Sequence, residues 1–147
     1  MFRILTTVML LFFGVLGCQN VKSSEVTGTW VVTDKSRQRF FPAAQKASMK
    51  IVLDGDGSFV ASEVPEDLLY EPRGSGNGLV TGSGVWKLSS RDGRQQVGLE
   101  FLAITVGQRR RVPYGTQLNV SGGKSSVALY YFQGDPDQAR RIEFKKK

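Results

Sequence analysis

Val26-Thr27-Gly28-Thr29-Trp30-Val31-Val32-Thr33 is the stretch from which the rest of this chain can be read. Successive side chains of an extended strand point to opposite faces. Val26, Gly28, Trp30 and Val32 therefore share one side, and Thr27, Thr29, Val31 and Thr33 share the other. One face is apolar and the other mostly hydroxyl. Gly28 leaves room for a close neighbour, which Trp30 is expected to fill. The pattern nearly recurs at Val80, Gly82, Gly84, Trp86 and Leu88, with Thr81, Ser83, Val85 and Lys87 opposite. Both Gly-x-Trp copies read as strands of one all-β body, with both indoles in its core.

The composition agrees. The chain has 147 residues, room for one domain, and 40 % of them are hydrophobic, enough for a real core. Seventeen glycines and a surplus of β-branched strand formers favour strands over helices. The net charge of +7 suggests attraction to anionic surfaces. No groove-reading helix or zinc spacing is visible, so nucleic acid is not an expected partner. Histidine is absent and Cys18 is the single cysteine. The chain thus has no imidazole for a triad or a metal and cannot form an internal disulfide. No metal or cofactor site is expected.

The amino terminus reads as an address. Arg3 precedes an uncharged, largely apolar run from Ile4 to Gly17. That run has the length of a signal-peptide apolar region and is too short to span a bilayer comfortably. Val15-Leu16-Gly17-Cys18 resembles the bacterial lipobox, in which the cysteine takes a diacylglycerol and becomes the first mature residue. The resemblance implies a signal peptide over residues 1–17, a lipidated tether over 18–25 and a domain over 26–147. Gln19 in place of aspartate implies, by similarity to proteobacterial sorting, the outer membrane, with the domain facing the periplasm.

Further along, alternation predicts strands at Ser48–Leu53, Ser58–Val64, Leu79–Leu88, Gln96–Leu102, Thr116–Val120 and Ser126–Phe132, and around Ile142 and Phe144. Asp34 to Ala47 reads as a loop with a helical turn near Ala43–Ala47, and Phe40 and Phe41 cap the core or form a ligand lid. Asp54-Gly55-Asp56-Gly57 is a hairpin turn, because the later ligands of a calcium loop are missing. Pro65 to Gly78 is irregular, and Glu63, Glu66, Asp67 and Glu71 make it the acidic end. The inward phase changes at Leu102, where a bulge would restore pairing and put Leu102, Ile104 and Val106 on one side. Arg109, Arg110 and Arg111 read as a basic loop before Pro113, a candidate contact for anionic headgroups or envelope glycans.

Eight short strands joined mostly by tight turns predict an eight-stranded antiparallel up-and-down barrel, with a meander β-sandwich as the alternative. Closure would pair the first strand with the last. Gly28-Thr29-Trp30, Asp56-Gly57-Ser58-Phe59, Ser83-Gly84-Val85-Trp86-Lys87-Leu88 and the Asp135-Pro136-Asp137 turn resemble a small bacterial lipocalin-like lipoprotein. In lipocalins the first-strand tryptophan packs against a basic residue at or after the last strand, which here implies Arg140, Arg141 or Lys145. The resemblance implies a non-enzymatic envelope lipoprotein that binds a small apolar or amphipathic ligand in its barrel or at its rim. The alternative is a structural or partner-binding lipoprotein with a packed core, and a hydrolase ranks third. Interior volume separates the first two.

Overall fold

The computed structural model describes residues 20–69, 78–106, 109–111, 114–123 and 126–147. Nine strands are seen: β1 Gly28–Val32, β2 Lys50–Leu53, β3 Ser58–Pro65, β4 Leu79–Arg91, β5 Arg94–Val106, β6 Arg109–Arg111, β7 Tyr114–Ser121, β8 Ala128–Phe132 and β9 Arg141–Lys146. Each pairs antiparallel with its neighbours, and β1 pairs β9 through Trp30↔Lys146, Val31↔Lys145 and Val32↔Phe144. The sheet is closed, and the sandwich is excluded. β6 and β7 occupy one barrel position, because Ile104↔Arg111 and Phe101↔Tyr114 continue a single register along β5. Nine strands therefore make an eight-stranded up-and-down barrel.

The arginine run is thus part of a strand, not the loop expected. Ladder hydrogen bonds use the backbone, so three adjacent charges do not prevent pairing. The bulge expected near Leu102 is present: Ser83 pairs with Ala103 but Gly84 with Phe101, leaving Leu102 as the extra residue. It turns Leu102 outward at 57 % exposure, while Phe101 and Ile104 stay buried, so Leu102 does not share the inward side of Ile104. Gly84 permits this crossing, since a Cβ there would collide with the Glu100 carbonyl oxygen.

Val26 and Thr33 lie outside β1. Val26 ends a short helix, α1 (Ser23–Val26), and Thr33 caps a second, α2 (Asp34–Phe40), with its hydroxyl accepting from the Ser36 amide. Helix α2 precedes the position expected for a helical turn, and a 3-10 turn follows at Pro42–Ala44. Thr33 at the N-cap, followed by Asp34 in the first turn, is the signal that outweighs the lack of a long apolar period.

Residues expected as a free tether are docked from Val21 onward. Val21 is buried, its amide donates to Gln95 Oε1 at 2.7 Å, and Gln95 Nε2 donates back to the Val21 carbonyl at 2.8 Å. Gln95 lies in β5 and Gly28 in β1, four barrel positions apart. The segment Val21–Thr27 therefore crosses one mouth of the barrel as a strap. This end, with the turns at Asp54–Gly57 and Asp92–Gly93, is called the near end. The far end carries α2, the turn Glu66–Leu68 and the segment between β8 and β9.

The tryptophans are core residues, as expected. Trp30 is fully buried and donates its indole N–H to the Val26 carbonyl at 2.7 Å; Trp86 donates to the Asp54 carbonyl at 2.8 Å. The basic partner of Trp30 is Lys146, not Arg140, Arg141 or Lys145. Its Nζ lies 5.9 Å from the ring and donates to the Glu25 carbonyl at 3.0 Å. Lys146, opposite Trp30 in the ladder, is in the inward phase set by Ile142 and Phe144, whereas Lys145 is in the outward one. The space at Gly28 is taken by this lysine: a Cβ there would lie 2.7 Å from Lys146 Cε.

Candidate functional site

The interior comes first, because its volume separates the expected functions. Trp30, Ile51, Leu53, Phe59, Leu99, Phe101, Leu118, Leu129, Ile142 and Phe144 point inward from all around the barrel, each at most 1 % exposed. Accessibility that low leaves no water-sized space beside these side chains. Phe59 and Phe101 meet edge to face with centroids 4.8 Å apart, the favoured aromatic geometry. Among the described residues the barrel is filled by its own side chains, one of the two outcomes open to eight strands.

Phe40 and Phe41 sit at the far end and pack against the core. Their centroids are 6.4 Å apart, and the Arg39 and Arg140 guanidinium carbons lie 5.1 and 5.8 Å from the Phe40 ring. Both rings are partly buried against core side chains.

Beside them lies a polar cluster. Asp67 accepts from the Tyr131 hydroxyl at 2.7 Å and from Gln133 Nε2. The next residue, Leu68, accepts from the Thr116 hydroxyl through its carbonyl at 2.6 Å. Burial raises the Asp67 pKa above the usual carboxylate value, offset only partly by these two donors and the nearby Arg140 charge. Burial and the Asp67 charge push the Tyr131 hydroxyl well above its ordinary value. These bonds pin the Glu66–Leu68 turn across the far mouth. Of the acidic residues expected there, Asp67 belongs to this latch. Glu63 instead accepts from the Ser48 amide at 2.7 Å, which lowers its pKa. Asp56 likewise accepts from Ser58 at 2.7 and 2.8 Å inside the first hairpin, as expected of a turn.

The outside of the barrel carries a cluster of basic side chains. A groove of about 720 Å³ runs over β2, β1 and β9. Lys50 and Lys145 flank Val31, each opposite it in the ladder. Lys147, whose amide donates to the Thr29 carbonyl at 2.9 Å, extends the row towards the near end. Arg37 closes the other end, its Nη1 donating to the carbonyls of Gln45 at 3.1 Å and Ala47 at 2.8 Å. Helix α2, which carries Arg37, is fastened to β9: the Ser36 hydroxyl accepts from the Glu143 amide at 3.1 Å, and the Thr33 amide donates to the Glu143 carbonyl at 2.9 Å. Three carboxylates are close by, one of them Glu63, which holds the amide of the lining residue Ser48. Asp34 lies 3.6 Å from Lys145 Nζ, while Glu143 pairs with Arg141 at 2.6 Å.

The sequence reads Lys145 to Lys147 as a solvated basic tail and gives no sign of the Lys50–Lys145 pair, because a cross-strand cluster depends on register between segments nearly a hundred residues apart. The run that did draw attention, Arg109–Arg111, pairs with the last residues of β5. It lies about 35 Å along that strand from the strap's contact at Gln95. The arginines and the docked strap therefore lie at opposite ends of the barrel. Cys18 itself lies outside the described residues. No cluster of metal-ligating side chains occurs among the described residues, and none of their helices is long and apolar enough to cross a membrane. No protein-family model, curated protein or solved structure matches this chain.

Proposed function

We propose that this chain is a lipid-anchored cell-envelope protein whose packed barrel is a rigid binding body: it catalyses no reaction and meets its partners through its outer surface. The filled interior carries the second half of this reading. A ligand inside would have to displace fully buried rings, whereas the outside offers open grooves and the exposed apolar side chains Val60, Val85 and Leu102. The uncharged run to Gly17 and the lone Cys18 support the anchor. Because Val21 is bonded to Gln95, only Gln19 and Asn20 would separate an acylated Cys18 from the docked strap. Three residues span about 10 Å at most, so the near end would ride against the lipid surface. Placement in the outer membrane, facing the periplasm, follows from the similarity of Cys18-Gln19 to sorted lipoproteins.

The experiment pairs metabolic labelling by a fatty-acid analogue with organic extraction of the purified full-length protein. Label should enter the parent chain and be lost in Cys18→Ser, which should move to the soluble fraction. Mass spectrometry of the extract should find no stoichiometric lipid beyond the covalent anchor. A parent chain that takes up no label, or an apolar ligand recovered at one per chain, would sink the corresponding half of the reading.

A further inference from the structure

We propose that the groove over β2, β1 and β9 is a binding site for phosphate-class anions carrying more than one negative charge. Its lining holds four cationic side chains, Arg37, Lys50, Lys145 and Lys147, against one carboxylate, Asp34. That surplus suits a multiply charged anion better than a single carboxylate. The cations come from helix α2, from β2, and from β9 with the residue that follows it, so three separate segments of the chain bring them to one groove. Lys50 and Lys145, one strand to either side of Val31, have backbones about 10 Å apart and stems long enough to converge. Arg37 is held by two backbone carbonyls on one nitrogen, which fixes its positive charge at the end of the groove. Thr29 adds a hydroxyl to the lining. Lys145 and Asp34 are 57 % and 78 % exposed, a solvated pair that an incoming phosphate can displace at little cost.

This site does not depend on the anchor, so its failure leaves the envelope reading standing. Two sources carry the same chemistry: a free oligophosphate and a phospholipid headgroup. The first arm titrates sodium pyrophosphate into the full-length protein in neutral detergent, followed by calorimetry. Lys50→Gln and Lys145→Gln should each weaken binding about tenfold, and the double variant should abolish it. Arg94→Gln, outside the groove, should bind like the parent, and added salt should weaken all binding. The second arm floats the full-length Cys18→Ser protein with vesicles of phosphatidic acid, whose phosphomonoester can carry two charges, or of phosphatidylcholine. Lysine-dependent flotation with the anionic vesicles alone identifies a headgroup; lysine-dependent pyrophosphate binding without flotation identifies a free phosphate. Thermal melts confirm that the glutamine variants fold. Absence of both activities, indifference to the lysine substitutions, or equal affinity for acetate and pyrophosphate overturns the proposal.

Discussion

Replacing Trp30 by alanine removes the side chain on which the near end is assembled. The indole is completely buried, so truncation costs about 3–5 kcal/mol in lost transfer energy and cavity. It also leaves the Val26 carbonyl without its donor at a buried position, a further cost of about 1 kcal/mol. The sum, about 4–6 kcal/mol, reaches the lower end of the total stability of an ordinary domain. With a urea dependence of about 2 kcal/mol per molar, the unfolding midpoint should fall by about 2–3 M. Trp30→Phe keeps most of the apolar volume and loses the donor, so its shift should be about 1 M or less. Far-UV circular dichroism is the probe of choice, because Trp86 alone would remain to report by fluorescence. A Trp30→Ala midpoint within about 0.5 M of the parent would refute the packing argument, and equal losses for alanine and phenylalanine would refute its division between volume and hydrogen bond.

Three further outcomes are expected. Gly84→Ala forces a Cβ into the Glu100 carbonyl oxygen and should destabilise by about 1–3 kcal/mol, read by thermal melting; an unchanged melt would mean that β4 and β5 do not cross so closely. Leu102→Ser, at the exposed bulge, should stay within about 0.5 kcal/mol, whereas Ile104→Ala two positions on should cost about 2–5 kcal/mol. The raised pKa of Asp67 means that the folded state holds its proton to higher pH than the unfolded chain, so stability should fall as pH rises upward from about 4. Asp67→Asn should flatten that slope in urea titrations at several pH values; an unchanged slope would assign it to another group.

Most of the barrel was legible in the sequence because period-two alternation marks a half-buried strand residue by residue. Eight barrel positions, the bulge at Leu102 and the buried indoles all follow from it, and the Asp-Gly pairs of Asp54–Gly57 mark the first hairpin turn. What escaped depends on contacts between distant segments. Lys146 rather than Lys145 faces Trp30 because the β1–β9 register decides it, and a shift of one residue exchanges the two faces. The strap looked like a tether because Val21 is one apolar residue in a polar run, and its partner Gln95 lies 74 positions away. The groove was invisible for the same reason: Lys50 and Lys145 become neighbours only when β1 lies between them. Adjacent arginines, by contrast, are conspicuous on the page, and adjacency in sequence is a poor guide to position on a closed sheet.

The seam between β1 and β9 also governs how the chain can reach its native state. Lys146 and Glu25 are bonded across 121 positions, and Val31 cannot find its second partner strand until residue 145 is present. Until then β1 has a bare edge, and so does every partial barrel that the chain forms on the way. Pairing at such long range makes folding slow, because loop entropy is lost before the last ladder compensates. A chain shortened by its final three residues would keep nearly the whole hydrophobic pattern and still expose that edge to another molecule. Its expected fate is edge-to-edge aggregation rather than a merely weaker barrel.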